Sequence, residues 1–169
     1  HAQPSLFSRS DSAWAKKTLS RLNTKQKIAQ LFMTEISPKP ENKDQKKKVM
    51  QLVKKNHVGG IIIMKGDYAL TGEWIREFQK NSDVPLLVSI DGEWGINMRI
   101  ENTTKFPYQL TMGALTKDSM IYEMGKAIAR DCRRLGIHVN FAPVADVNIN
   151  PKNPVINYRS FGENKFRVT

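Results

Sequence analysis

Polar side chains that could bind a ligand follow two apolar segments of this chain, at the point where each segment ends. Asp91-Gly92-Glu93 comes directly after one segment, and Asp146-Val147-Asn148 follows another. Arg99 lies eight positions after Asp91, and Arg159 follows the second acidic group. Carboxylates accept, and guanidinium groups donate, charge-assisted hydrogen bonds. If folding brings these groups together, they could hold a ligand rich in hydroxyl groups.

Apolar strands alternate with amphipathic helices along the chain. We predict strands over residues 31–36, 58–64, 84–90 and 137–144, where apolar and β-branched residues cluster. We predict helices over residues 12–22, 25–32, 41–56, 68–81 and 118–135, with Gly136 as the C-terminal cap of the last. Such an alternation indicates an α/β fold with a parallel sheet.

Two parallel architectures compete, a doubly wound sheet and a (β/α)8 TIM barrel. A dinucleotide-binding sheet has a glycine-rich turn after its first strand, whereas Gly59-Gly60 precedes an apolar run here. Polar residues that follow strand ends favour a barrel, whose functional residues lie at that position. A barrel needs about 250 residues. The 169 residues therefore predict a partial barrel, roughly its first half, with parallel strands and outer helices. We expect self-association through its open edges.

Composition excludes several classes of protein. No apolar run reaches the roughly 20 residues that a transmembrane helix needs, so we expect no membrane span. The net charge of +11 comes largely from lysines in 16–17, 43–48 and 54–55, which we interpret as solvated helix faces. Because no aromatic residues interleave with these lysines, we expect no nucleic-acid partner, although a basic nucleic-acid binder is a rival hypothesis. Cys132 is the single cysteine, which excludes an intrachain disulfide.

Three segments in series resemble one known family. The first is VPLLVSIDGEWG with MR at 98–99, the second FP at 106–107 with MGA at 112–114, and the third LGIHVNFAPVADVN with NPVI and RSFG. They closely resemble the N-terminal domain of glycoside hydrolase family 3, which contains β-glucosidases and β-N-acetylglucosaminidases. The resemblance implies that residues 12–169 are the N-terminal part of such a barrel, incomplete at the C-terminus. Residues 1–11 are predicted to be a disordered or extended leader.

The resemblance also implies a set of sugar-binding residues. In that family the aspartate at the strand end binds sugar hydroxyls, and it corresponds to Asp91. The arginine eight positions later, typical of the N-acetylglucosaminidase branch, corresponds to Arg99. The arginine of the RSFG motif, Arg159, is the third substrate-binding residue implied. Trp94 departs from the family's Glu-Gly-Gly pattern, and it could stack on a sugar or wall the pocket.

The function implied is hydrolysis of terminal non-reducing β-linked sugars by a retaining mechanism, with β-N-acetylglucosaminides favoured. Retaining enzymes need a nucleophile and an acid/base. Neither of the family motifs that carry these groups occurs in this chain. We therefore assign no catalytic residue here and expect the chain alone to be inactive. Alternatives are a β-glucosidase of the same family and a non-catalytic carbohydrate-binding barrel remnant. We expect no cofactor and no metal site, and a secreted or periplasmic location.

Several candidate residues also have structural interpretations. Asp91 could be a helix N-cap, and Glu93 could either pair with an arginine or cap backbone amides. For Asp146 we favour a role in fixing its loop. His57 and His138 are interpreted as structural, the latter in the core. Trp14 and Trp74 lie on helical stripes and are predicted to be core residues.

Overall fold

The chain forms a parallel sheet with helices between its strands. The computed structural model describes residues 9–150 and 152–168. The strands are β1 (Met33–Ile36), β2 (Gly60–Ile63), β3 (Leu87–Ile90) and β4 (Val139–Asn140). The α-helices are α1 (Arg9–Arg21), α2 (Thr24–Ala29), α3 (Lys43–Gln51), α4 (Tyr68–Lys80), α5 (Gln109–Gly113), α6 (Asp118–Leu135) and α7 (Lys165–Val168). Short 3-10 helices cover Ile96–Met98 and Asn157–Arg159, and a π-helical turn, Leu52–Asn56, extends α3.

Strand order decides between the two architectures. The sheet has the order β1-β2-β3-β4, and every neighbouring pair is parallel. A doubly wound sheet reverses its strand order at a switch point, whereas a barrel adds each new strand beside the previous one. The sequential order therefore confirms the predicted partial barrel. Within the described residues the sheet does not close on itself, which leaves β1 and β4 at its edges.

One apolar core joins the sheet to the helices. Alternate strand residues such as Ile61, Ile63, Val88 and Ile90 are fully buried against the helices. Helices α3, α4 and α6, with the π-helical turn after α3, contribute a second part of the core; its members are Val49, Val53, Trp74, Ile75, Phe78, Cys132 and Leu135. Burial raises the pKa of the Cys132 thiol above its usual range, which keeps the thiol protonated at neutral pH.

Local sequence signals set most of the element boundaries. Asn23 and Gln26 form a capping box at the start of α2, with mutual hydrogen bonds of 2.9 and 3.0 Å. Asp67 caps α4 through the amide of Leu70. Gly136 ends α6 in the left-handed conformation, at φ 75°. The first helix begins at Arg9, within the leader predicted over residues 1–11; residues 1–8 lie outside the described residues.

Three expectations from the sequence are wrong in detail. The strand predicted over 137–144 is reduced to Val139–Asn140. Before it, the Ile137 amide donates to Cys132 at the end of α6, and after it Pro143 has no amide N–H to continue a strand ladder. Trp14 is 56% exposed, because the apolar stripe of α1 is not packed into the core. His138 is exposed rather than buried, since it precedes the edge strand β4.

Other expectations are confirmed. Trp74 is 3% exposed and packs edge-on against Phe78. His57 is structural, with Nδ1 lying 3.2 Å from Asp83. Most lysines of α3 are exposed, as a solvated face requires. Among the described residues no helix is both long and apolar enough to cross a membrane.

Candidate functional site

Asp91 and Arg99 form the first ion pair of the site. Asp91 directly follows β3, and the 3-10 helix Ile96–Met98 returns the chain so that Arg99 meets it. The Arg99 Nη2 donates to Asp91 Oδ2 at 2.6 Å, and its Nε donates to the backbone oxygen of Asp91 at 2.9 Å. The backbone of Arg99 is itself fixed, because the Gly66 amide donates to its oxygen. The guanidinium therefore fixes the orientation of the Asp91 carboxylate.

The Asp91 carboxylate keeps binding capacity after this pairing. Its side chain is 33% exposed, whereas that of Arg99 is 19% exposed. Within the described part of the chain, Oδ1 of Asp91 accepts no hydrogen bond, since the Arg99 contact uses Oδ2. An oriented carboxylate with a free, solvent-facing oxygen can accept hydrogen bonds from ligand hydroxyls. Asp91 is not a helix N-cap, because Gly95 holds that position for the following 3-10 helix.

Glu93 and Arg159 form the second ion pair. The Nε of Arg159 lies 2.9 Å from Oε2 of Glu93, and its Nη2 lies 2.6 Å from Oε1. This is a two-point contact between a planar guanidinium and a carboxylate. The Glu93 side chain is only 3% exposed, against 30% for Arg159. Glu93 is therefore committed to positioning the arginine, while Arg159 still reaches solvent.

Electrostatics link the two pairs. The pKa of Arg159 is raised, chiefly by its hydrogen bonds to Glu93, while partial burial opposes the rise. The charges of Glu93, Asp91 and Asp146 raise it further. Chain connectivity also brings the pairs together, because Asp91 lies two residues before Glu93, whose carboxylate contacts Arg159. Asp91, Arg99 and Arg159 thus lie together at the carboxyl end of the sheet. We call these three residues and Glu93 the polar cluster.

Asn140 holds the backbone between the two carboxylates. Its Oδ1 accepts from the Gly92 amide at 2.9 Å, and its Nδ2 donates to the Gly92 oxygen at 3.1 Å. Because Asn140 ends β4 and Gly92 follows β3, this double contact ties the exits of neighbouring strands together. Asn140 was not predicted as a site residue, although its position near the end of a predicted strand could have indicated it.

The segment that carries Arg159 is fixed by close backbone packing. A Cβ atom on Gly113 would overlap the backbone oxygen of Phe161, so glycine is required for α5 to approach this segment. Ser160 is fully buried, and its hydroxyl donates to the backbone oxygen of Asp146 at 2.5 Å. Asp146 thus fixes its loop through its backbone, and its exposed carboxylate adds charge near Arg159.

Helix α5 also contacts the loop after β3. The side-chain amide of Gln109, which is fully buried, donates to the backbone oxygen of Glu93. The polar cluster is therefore supported from α5, from β4 and from the loop around Ser160. Sequence reasoning missed Gln109, because a single glutamine in a short helix gives no periodic or motif signal.

Three aromatic rings lie beside the polar cluster. Trp94 meets Tyr108 edge-on at 4.8 Å between ring centroids, and Tyr108 lies 4.5 Å from Tyr158. Trp94 and Tyr158 are 6.3 Å apart. Both tyrosines are nearly half exposed. Trp94 directly follows Glu93 and Tyr158 directly precedes Arg159, so the rings flank the second ion pair.

A cavity of about 440 Å³ adjoins the polar cluster, between α6 and the segment around β4. Its lining is mainly apolar, but it includes Glu93 and Asn140 and none of Asp91, Arg99 and Arg159. The candidate functional site is the polar cluster, which the cavity meets at Glu93. Among the described residues, no group of three or more His, Cys, Asp and Glu side chains could hold a metal ion.

The fold defines the chain as part of a (β/α)8 barrel domain, with the polar cluster at the carboxyl ends of its strands as the candidate site. Residues 23–169 match the glycosyl hydrolase family 3 N terminal domain. The chain belongs to this family.

Two curated relatives share most of the chain. Beta-hexosaminidase A of Pseudoalteromonas piscicida is 39% identical over 132 residues, which are 70% of this chain and 22% of the relative. Beta-N-acetylglucosaminidase/beta-glucosidase of Cellulomonas fimi is 29% identical over 151 residues, which are 89% of this chain and 26% of the relative. The chain thus spans about a quarter of the length of these relatives.

Solved structures of the family have the same fold. A family 3 beta-N-acetylglucosaminidase from Paenibacillus sp. str. FPU-7 is 34% identical with a TM-score of 0.72, covering 87% of this chain and 29% of that one. Beta-glucoside phosphorylase BglX bound to 2FGlc superposes with a TM-score of 0.87 over 99% of this chain and 30% of its own, at 24% identity. At that identity the second likeness supports the fold alone.

Proposed function

We propose that the full-length protein hydrolyses terminal non-reducing β-linked sugars, with β-N-acetylglucosaminides favoured, by a retaining double-displacement mechanism. The observation that supports this most is the Asp91–Arg99 pair, an oriented and partly exposed carboxylate at a barrel strand end. The names of the relative from Cellulomonas fimi and of the Paenibacillus structure, which both include beta-N-acetylglucosaminidase, support the N-acetylglucosaminide preference.

In this proposal the polar cluster binds the sugar at the non-reducing end. The free oxygen of Asp91 accepts hydrogen bonds from ring hydroxyls, and Arg99 keeps that oxygen turned toward the ligand. Arg159 uses Nε and Nη2 on Glu93 and one N–H of Nη1 on the backbone oxygen of Val155, and its other N–H groups donate to the sugar. Hydrogen bonds to sugar hydroxyls accelerate hydrolysis when they strengthen in the transition state.

The bond-breaking groups belong to chain outside these 169 residues in this proposal. A retaining enzyme needs a nucleophile and an acid/base on either side of the glycosidic bond, about 5 Å apart when both are carboxylates. Both Asp91 and Glu93 are assigned to binding and positioning by their arginine contacts. We therefore expect the pure 169-residue chain to show no turnover of p-nitrophenyl β-glycosides. Measurable activity of that chain would contradict this part of the proposal.

Replacement of Asp91 tests the site assignment. In the full-length protein, Asp91→Ala is expected to lower kcat/KM on p-nitrophenyl β-N-acetylglucosaminide by about 100- to 1,000-fold, or about 3–4 kcal/mol. Asp44→Asn is the matched control, because Asp44 is 89% exposed on α3 and its nearest partner is Lys47. Near-normal kcat/KM in Asp91→Ala would remove Asp91 from the substrate site.

Two alternatives are separated by the same assay. The first is a β-glucosidase, an activity that the name of the Cellulomonas fimi relative includes. A higher kcat/KM on β-glucosides than on β-N-acetylglucosaminides would support it. A carbohydrate-binding remnant predicts sugar binding by the full-length protein, lost in Asp91→Ala, without any turnover.

We also propose that the protein works outside the cytoplasm, on carbohydrate of the cell envelope, without a nucleic-acid partner. The proposed substrate class supports this location. Cell fractionation against a cytoplasmic marker enzyme tests it, and recovery of the protein with that marker would contradict it.

A further inference from the structure

The three aromatic rings beside the polar cluster come from three separate segments. Trp94 lies in the loop after β3, Tyr108 immediately before α5, and Tyr158 in the 3-10 helix Asn157–Arg159. Tyr108 lies within 5 Å of both other rings. The group therefore forms one continuous aromatic surface, which we call the aromatic platform.

The exposure of the platform is unusual for a purely structural cluster. Tyr108 is 46% exposed and Tyr158 is 45% exposed, whereas Trp74 and Phe78, which pack the core, are at most 3% exposed. Neither tyrosine hydroxyl forms a hydrogen bond with the described part of the chain. Half of each tyrosine thus stays in water, with its polar atom available to a ligand.

Chain connectivity keeps the platform next to the polar cluster. Trp94 is bonded to Glu93, and Tyr158 is bonded to Arg159, so the platform and the Glu93–Arg159 ion pair share the same two segments. The rings therefore lie beside any ligand that Arg159 binds.

A sugar ring has the chemistry that this surface fits. A pyranose presents a face of C–H groups, which packs on aromatic rings, and an edge of hydroxyls, which tyrosine hydroxyls can bond. We infer that the aromatic platform binds the second sugar of a β-linked chain, next to the sugar held by the polar cluster. This inference rests on the proposed function and adds a preference for oligosaccharides over glycosides with a small leaving group.

Kinetics of full-length variants test the inference. We compare kcat/KM on a β-linked disaccharide of N-acetylglucosamine with that on the methyl β-glycoside. The loss in Trp94→Ala should be at least tenfold larger on the disaccharide than on the methyl glycoside, and Trp94→Phe should restore most of it. Tyr158→Ala should also lose more kcat/KM on the disaccharide than on the methyl glycoside. Tyr122→Ala is the control, because Tyr122 is 69% exposed on α6 and lies outside the platform.

Equal losses on both substrates would overturn the inference, since they would indicate that the rings only support Arg159. No loss on the disaccharide would overturn it as well. Binding of chitobiose, measured by isothermal titration calorimetry, separates this inference from the proposed function. Binding that Trp94→Ala weakens and Trp94→Phe largely retains, in a protein without turnover, would support the platform while contradicting hydrolysis. Binding that is unchanged in Trp94→Ala would contradict the platform whether or not hydrolysis occurs.

Discussion

Glu93 and Arg159 are 66 positions apart in sequence, yet their side chains form a two-point ion pair with a shortest contact of 2.6 Å. The pair is asymmetric, because the carboxylate is almost fully buried whereas the guanidinium reaches solvent. It joins the loop after β3 to the segment that follows β4. The position of Arg159 therefore depends on a buried acid.

Because of this asymmetry, we expect replacement of the two partners to lower the free energy of unfolding by unequal amounts. Arg159→Met leaves a buried carboxylate without its partner and is expected to lower the free energy of unfolding by about 2–4 kcal/mol. Glu93→Gln leaves an arginine that can turn to water, and we expect a loss of about 1–2 kcal/mol. Urea unfolding of both variants measures the difference. A larger loss in Glu93→Gln would contradict the assignment of Glu93 as the buried member.

Asn140 is predicted to be a positioning residue. Asn140→Ala removes both hydrogen bonds to Gly92 and is expected to cost about 1–3 kcal/mol of stability. Because Gly92 separates Asp91 from Glu93, kcat/KM of the full-length protein should also fall, about tenfold or more. Asn81→Ala is the control, since Asn81 makes one exposed hydrogen bond to Glu77 at the end of α4. Equal behaviour of the two variants in both assays would refute this role.

Alanine substitutions at two helical glycines are expected to change the stability of the protein in opposite directions. Gly113→Ala places a methyl group against the backbone oxygen of Phe161, so the segment next to Arg159 must move, at a cost of about 1–3 kcal/mol. At Gly125, within α6, an alanine methyl group would meet no neighbouring atom within 4 Å, and Gly125→Ala should stabilise the protein by up to about 1 kcal/mol. Thermal unfolding of both variants checks the signs. A neutral Gly113→Ala would show that the close approach of α5 is not needed.

The open sheet predicts self-association of the 169-residue chain. Edge strand β1 follows Leu31 and Phe32, which are 84% and 61% exposed, and an apolar sheet edge pairs readily with another copy. We expect sedimentation to show species larger than a monomer, and Phe32→Lys to reduce them. Leu19→Lys on α1, a similarly exposed apolar position outside the sheet, is the control. A monomer at all concentrations would contradict the expectation.

The sequence by itself determined the class of fold and indicated the residues of the candidate site. Helical and strand periodicity located the elements around the sheet, because burial on one face imposes a 3.6-residue repeat on helices and continuous apolar runs on buried strands. Asp91 and Arg99 are close in sequence, so a short sequence motif contains both residues and could indicate the pair. Trp94 was also singled out as a departure from the family pattern.

Only the tertiary structure decided which partners these residues have. The pairing of Glu93 with Arg159, the contact of Asn140 with Gly92, and the meeting of Trp94 with Tyr108 and Tyr158 join segments that are distant in sequence. Such contacts depend on how neighbouring parallel strands align, and no local preference encodes that alignment. The exposure of Trp14 and His138 was wrongly predicted for the same physical reason: periodicity identifies an apolar face, but the rest of the fold decides whether anything covers it.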